Sequence, residues 1–305
     1  MKLVFFGTST FGVPALRRLA GHVSLVVTQP DRPGRRGMRL QPSPIKECAL
    51  ELGIRVESPE KSRAPEFVEV LLAEEADALL VAAYGQILST KVLESAKRGS
   101  INLHGSILPN YRGAAPVQRC LLNGETETGV TLMQMDKGMD TGDIITIERL
   151  AIGPDETCGL LYDRLSDLAA DMAVDWMPRI VSGEYERTPQ ENDLATYAGK
   201  VEKADAELSF DRTHEGEYNR FRAFQPNPGP FVRTRFGLLR LQAMKRGDGL
   251  PAAAPGTVLS TTGHLAVAFA DGALLFEEVQ PEGKKRMRGI DFANGAHIRP
   301  GDRLL

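Results

Sequence analysis

The sequence predicts an α/β fold, with a doubly wound, mostly parallel sheet in the first part of the chain and a small β-barrel in the second. Three observations predict it. Short apolar runs alternate with helical runs through the first half, the order that builds strand–helix–strand units and a parallel sheet. The composition turns polar after residue 183, and beyond that stretch five short β runs recur with Gly and Asp between them, the pattern of a small barrel. At 305 residues the chain is long for one hydrophobic core, which favours two domains.

The elements follow in order. KLVFFG reads as the first strand and PALRRLA as the helix after it; VSLVVT is the second strand. PSPIKECALELG forms the next helix, with Ser43 as a cap ahead of Pro44. A short IRVES strand, the helix PEFVEVLLAEEA and the buried strand ALLVAAYG come next, then INLHG. GVTLMQM and DIITIERLAI make an antiparallel pair, and TCGLLYDRLSDLAADMAVDWMPRIVSG a long amphipathic helix that closes the domain. These boundaries give a first domain over 1–189, a linker over 190–206 and a barrel over 207–305. The barrel's strands are FVRTRF, LLRLQAMK, GTVLST, HLAVAF and ALLFEEVQ, preceded by the helix EGEYNRFRAF.

Composition removes several classes. The chain is 42% hydrophobic and 25% charged, with a net charge of −3, so bulk charge does not mark a nucleic-acid binder. The apolar run at the start is too short and too quickly broken for a signal peptide, and no run reaches the roughly 18 apolar residues of a membrane span. Cys48, Cys120 and Cys158 are odd in number, widely spaced and without a CxxC pair. They read as reduced thiols in a cytoplasmic protein, with no disulfide framework and no metal site.

Four stretches carry candidate chemistry. FFGTSTFG has a G-x-x-x-x-G pattern and lacks the G-x-G-x-x-G needed for close pyrophosphate approach, so a tight strand-to-helix turn explains it. PDRPGRRGMRLQPSPIK, residues 30–46, holds Arg32, Arg35, Arg36, Arg39 and Lys46 against the single acid Asp31. It is a solvated surface loop or a phosphate-contacting one, and its position after the second strand, at the carboxyl-end crevice where ligands sit, favours the second.

In INLHGSILPNYRGAAP, Asn102 and His104 stand two apart on a strand and therefore share a face. Burying two polar groups together requires partners for both. In MDKGMDTGDII, Asp136, Asp140 and Asp143 alternate with glycines, off the calcium-loop spacing. The stretch is an Asx-type hairpin, or it returns one aspartate to His104. Asn, His and Asp then form a coherent set. The amide stabilises an oxyanion, the imidazole exchanges a proton near neutral pH, and the carboxylate orients the imidazole. No Ser or Cys nucleophile is placed for an acyl-enzyme, so direct acyl transfer to an amine fits best.

INLHGSILPNYRGAAPVQ followed by ETGVTLMQMDKGMDTGDII resembles the methionyl-tRNA formyltransferase family, and the resemblance extends over nearly the whole chain. KLVFFGTSTFGVPAL resembles its first strand and helix, QPDRPGRRGMRLQPSPIK its insertion loop, VAAYGQILS its folate-side strand and loop, and VQPEGKKRMRGIDFANG its carboxyl-terminal signature. The chain departs from the family's usual pattern at PNPG, where Asn227 takes a tryptophan's place, and at Ala204, where an acid is common.

The resemblance implies a Rossmann-like first domain and an OB-like barrel. It implies Asn102, His104 and Asp140 as the catalytic set, acting on the formyl group of 10-formyltetrahydrofolate without a metal. The folate pocket would be lined by Tyr84, Gly85 and Gln86 and by Ser106, Ile107, Leu108 and Pro109. Arg35, Arg36 and their basic neighbours Arg32, Arg39 and Lys46 would meet the acceptor end of an initiator methionyl-tRNA, and Lys284, Lys285, Arg286 and Arg288 its backbone. The enzyme would act as a monomer. Residues 207–305 carry 14 Lys/Arg against 11 Asp/Glu, a balance compatible with RNA at that end. A small-molecule formyltransferase and a folate hydrolase share the central motif and remain the rival readings, alongside a catalytically silent RNA-binding protein on the same fold.

Overall fold

The structure is a computed structural model that describes residues 1–33 and 40–305. Its contacts divide the chain into two compact units. One comprises Met1–Pro116, Glu127–Ala151 and Tyr162–Gly199; the other comprises Val117–Thr126, Ile152–Leu161 and Lys200–Leu305.

The first unit is built on β1 (Leu3–Gly7), β2 (Val23–Val27), β3 (Arg32–Pro33), β4 (Leu40–Gln41), β5 (Val56–Glu57), β6 (Ala78–Ala82), β7 (Ser100–His104), β8 (Arg112–Gly113), β9 (Glu127–Gln134), β10 (Ile144–Ala151) and β11 (Tyr197–Ala198). Its main sheet has the order β10-β9-β7-β6-β1-β2-β5. The pairs β5–β2, β2–β1, β1–β6 and β6–β7 are parallel, and β9 and β10 add an antiparallel edge. The strand order reverses between β1 and β6, the switch point where doubly wound sheets open a crevice at their carboxyl ends.

The helices are α1 (Val13–Arg18), α2 (Pro44–Glu51), α3 (Pro65–Ala73), α4 (Thr90–Leu93), α5 (Pro116–Leu122), α6 (Cys158–Ser182), α7 (His214–Phe224) and α8 (Gly289–Gly295). Every residue of β1, β6 and β7 is buried, which is why β1 and β6 read as unbroken apolar runs, while β7 alternates Ile101 and Leu103 with the buried polar residues Ser100, Asn102 and His104. Val4, Phe6, Leu25 and Val27 pack one side against Phe67, Val68 and Leu71 of α3. α2 starts as its sequence predicts: Pro44 occupies the first turn and the Ser43 hydroxyl accepts the Lys46 amide at 3.0 Å. Ser166 of α6 donates to the Phe11 carbonyl at 2.7 Å. The FFGTSTFG turn is a packing device, because a Cβ at Gly7 would lie 3.1 Å from the Ala82 carbonyl and one at Gly12 would lie 3.2 Å from the Ala82 side chain.

The second unit carries β12 (Glu207–Leu208), β13 (Phe231–Thr234), β14 (Gly237–Arg246), β15 (Val258–Ser260), β16 (Leu265–Ala268), β17 (Ala273–Pro281) and β18 (Met287–Arg288). They form one curled sheet of order β12-β13-β14-β17-β16-β15, with β18 beside β17. Bulges between Leu241 and Met244 bend β14, as bulges do. The tail joins distant parts of the sheet: Leu304 donates to the Gly256 carbonyl and accepts from the Arg235 amide. The core gathers Phe210, Tyr218, Phe221, Leu241, Phe269 and Phe276, among others.

This unit also uses the excursion 152–161. Arg246 lies 4.0 Å over the Tyr218 ring and pairs with Asp155 and Glu215. Tyr218 donates to Asp155 at 2.8 Å, and burial, with that carboxylate beside it, pushes the phenol up to about 12. Cys158 and Cys120 are buried here, and none of the three cysteines is in a disulfide. No helix among the described residues is long and apolar enough to cross a membrane.

Candidate active site at the carboxyl ends of the sheet

β7 lies between β6 and β9, and its residues alternate faces. Asn102 pairs in register with Val81 and Met133, and His104 with Thr131. Both polar side chains are nearly buried, at 8% and 6% exposure. Among the described residues the Asn102 amide makes no side-chain hydrogen bond, although burial makes such a partner valuable. His104 is fixed on one side: its Nε2 lies 3.0 Å from the Tyr111 carbonyl. A carbonyl only accepts, so that nitrogen carries the proton. Its Nδ1 faces Asp140 Oδ2 at 3.7 Å.

Of the three acids in the 135–145 stretch, Asp140 is the one that reaches His104. Asp136 instead folds its own turn, accepting from the Gly138 amide at 2.9 Å and the Thr141 hydroxyl at 2.7 Å. Asp140 sits at φ +56 and Tyr111 at φ +60, a left-handed region that costs a non-glycine residue energy and persists where surroundings enforce it. The surroundings here are explicit. Asp140 Oδ2 accepts the Gly113 amide at 2.8 Å, and the Tyr111 amide donates to Thr196 Oγ1 at 2.8 Å. Strand β8 pairs with β11, and the Ala114 amide donates to the Ala198 carbonyl at 2.9 Å.

The loops after β6 and β7 carry the remaining expected residues. Tyr84 turns its ring into the apolar core, edge-on to Phe6 at 5.2 Å, where burial pushes its phenol up to about 12. Its carbonyl accepts from Thr8 Oγ1 at 2.7 Å and Gln29 Nε2 at 2.9 Å, so the ends of β1, β2 and β6 meet on one oxygen. Gly85 has φ +84, and a Cβ there would lie 2.5 Å from Gln29 Nε2. Gln86 accepts the Ser62 amide at 3.1 Å, and the Ile87 side chain that follows is 91% exposed.

Ser106 donates to the Asn110 carbonyl at 2.7 Å, and its own carbonyl accepts from Thr131 Oγ1 at 2.6 Å. The same Thr131 hydroxyl accepts the Leu108 amide at 3.0 Å. Leu108 is buried, while Ile107 and Pro109 are half-buried.

The basic residues are spread differently. Arg32 is exposed, and Lys46 holds both carboxylate oxygens of Asp31 at 2.8 Å. Arg35, Arg36 and Arg39 lie outside the described residues. In the second unit Lys284 and Lys285 are exposed in the turn between β17 and β18, whereas Arg286 pairs with Glu278 and Arg288 grips Asp291 at 2.7 and 2.8 Å.

Sequence reasoning missed Gln190, Asn192, Thr196 and Thr131. Arg112, at the start of β8, is 2% exposed and donates to Gln190 Oε1 and Asn192 Oδ1. Thr131 was findable from the antiparallel pairing that sets it opposite His104; the other three stand in an aperiodic polar stretch.

This arrangement, an amide, an imidazole and a carboxylate at the carboxyl ends of a doubly wound sheet, is that of a group-transfer enzyme. The formyl transferase family model matches residues 1–177, and the model of the formyl transferase C-terminal domain matches residues 200–297. The chain belongs to the formyl transferase family. More particularly, it is 44% identical over 310 residues to a protein of Symbiobacterium thermophilum named methionyl-tRNA formyltransferase, covering 100% of this chain and 95% of that one. A Methylococcus capsulatus protein of the same name is 42% identical, covering 100% and 99%. In solved structures the fold is shared with an N-formyltransferase from Helicobacter canadensis in complex with folinic acid and dTDP-3-aminofucose (TM-score 0.67, 20% identity, 90% of this chain and 98% of that one). It is also shared with HypX from Aquifex aeolicus in complex with tetrahydrofolic acid (TM-score 0.65, 14% identity, 96% and 47%).

Proposed function

We propose that this chain transfers the formyl group of 10-formyltetrahydrofolate to the α-amino group of initiator methionyl-tRNA, for translation initiation. The observation that carries the chemistry is His104 Nδ1 facing Asp140 Oδ2 at 3.7 Å, with the Asn102 amide, which has no side-chain hydrogen bond among the described residues, two positions earlier on the same strand. The amine attacks the formyl carbon, the carbon's bond to N10 breaks, N10 gains a proton and the amine loses one. Asn102 donates to the oxygen that gains charge as the carbon becomes tetrahedral. His104 accepts the amine's proton, and Asp140 stabilises the imidazolium that results. Residues 84–86 and 106–109 hold the folate beside them.

The relatives' names support the tRNA class, with Arg32, Arg35, Arg36, Arg39, Lys46, Lys284, Lys285, Arg286 and Arg288 as the positions that would meet the tRNA. Residues 1–189 supply the chemistry, 190–206 the link and 207–305 the tRNA grip. The enzyme works in the cytoplasm as a monomer. The experiment is formyl transfer to methionyl-initiator tRNA, methionyl-elongator tRNA and free methionine. Rapid formylation of the initiator species alone supports the reading. No transfer to any of the three, with folate still bound, transfers support to a small-molecule formyltransferase or a folate hydrolase.

A further inference from the structure

Arg112 is a buried guanidinium whose described side-chain hydrogen bonds all go to neutral amides. Its Nε and Nη2 donate to Gln190 Oε1 at 3.1 and 2.7 Å, and Nη2 also donates to Asn192 Oδ1 at 2.8 Å. Taking a charge out of water this way is costly, so the arrangement calls for a reason. A guanidinium only donates. Gln190 must therefore turn its oxygen toward Arg112, and the amide nitrogen is forced to the opposite side.

There Gln190 Nε2 donates to the Asp140 carbonyl at 2.9 Å and to the Gly142 carbonyl at 2.7 Å. These two carbonyls belong to the turn that holds Asp140 at φ +56. Gly142 lies so close to β9 that a Cβ would stand 1.9 Å from the Gln134 carbonyl. The residue after Arg112, Gly113, donates its amide to the Asp140 carboxylate at 2.8 Å. One short stretch of chain thus fixes Asp140 twice: directly at the carboxylate, and through Gln190 at the backbone.

We propose that Gln190, locked in one amide orientation by Arg112, is a positioning residue that sets Asp140 against His104. This rests on the reading of Asn102, His104 and Asp140 as the reacting groups. Gln190 touches neither substrate; it acts through the turn.

The test uses the full chain and Gln190→Glu. That variant keeps the shape of the side chain and gives Arg112 a carboxylate, yet removes both N–H donors to the turn. If Gln190 serves only to satisfy Arg112, kcat stays within twofold of the parent. As a positioning residue, its loss lowers kcat by about tenfold to a hundredfold while KM for folate and tRNA moves less than about threefold. Because Gln190 acts through Asp140, the Asp140→Ala/Gln190→Glu double variant loses no more than Asp140→Ala alone.

Should Gln190→Glu fail to fold, Arg112→Met with Gln190→Met removes both partners at similar volume, a change stability tolerates better than removing one, and the same fall in kcat is expected. Parent-like kcat in a folded variant, or full additivity with Asp140→Ala, overturns the inference. His104→Ala and Asp140→Asn run alongside: if these keep parent activity, the site reading itself has failed and takes the inference with it. If they lose activity and Gln190→Glu does not, the inference alone fails.

Discussion

His104 Nδ1 and Asp140 Oδ2 face each other at 3.7 Å, within reach of an ion pair but beyond a hydrogen bond. Without substrates bound, catalytic contacts are commonly long and tighten in the reacting complex. The carboxylate is already committed to the Gly113 amide, which leaves its charge, more than a hydrogen bond, to act on the imidazole. Asp140→Asn keeps an oxygen for Gly113 and deletes that charge, so kcat should fall by about a hundredfold and His104→Ala by about 10² to 10⁴, with tRNA affinity unchanged. Steady-state kinetics on both variants check this; parent-like turnover in His104→Ala removes the imidazole from the mechanism.

Asn102 has an amide with no described partner in a nearly buried position. Asn102→Ala should lower kcat by about 10² to 10³, the usual loss of one oxyanion donor. Asn102→Asp, of the same shape but opposite electrostatics, should do worse. If Asp is tolerated, the amide is not facing developing negative charge.

Lys284 and Lys285 are exposed, whereas Arg286 and Arg288 are occupied by Glu278 and Asp291. Arg288 also holds the Asp291 carboxyl below its usual range through their paired hydrogen bonds. The lysine pair, changed to Ala, should therefore raise the tRNA KM more than Arg288→Ala, and should lower the salt slope of tRNA binding by about one unit per lost phosphate contact. Binding titrations at several salt concentrations decide it, and an unchanged slope in the lysine variant takes these residues off the RNA path.

Arg246 draws together Asp155, Glu215 and the Tyr218 ring. Arg246→Ala should cost about 1–2 kcal/mol at neutral pH, a partly exposed ion-pair network plus one cation–π contact. The hydrogen bond from Arg246 leads the effects on Glu215, whose carboxyl stands below its usual value. A carboxylate with a lowered folded value stabilises above the usual carboxylate range and loses that contribution as pH falls through it. The gap between parent and variant should accordingly narrow below about pH 4. Denaturant melts across pH test this, and a gap that widens in acid reverses the assignment.

Much of the fold was legible because burial writes itself into pattern. LVFFG and ALLVA are apolar because both faces are covered, and in the equally buried SINLH the Asn102/His104 pair stood out against that background. Elements of two residues, such as β5, β12 and β18, leave no period to read. Gln190, Asn192 and Thr196 were legible only as polar residues of a linker, because each meets its partner about eighty positions away through amide or hydroxyl geometry that sequence spacing does not encode. Tyr84 shows the same limit in reverse: its loop position was readable, while the turning of its ring into the core against Phe6 was decided by packing.

The excursion 152–161 has a consequence for how this protein is inherited and cut. Residues 207–305 look, in sequence, like a detachable cassette, yet Arg246 and Tyr218 rely on Asp155, and Arg222 donates to the carbonyls of Gly153 and Glu156. A fragment beginning at residue 200 leaves those groups behind. Swapping the tail between relatives would succeed only when the short stretches 117–126 and 152–161 travel with it, so three segments separated in the gene must change hands together.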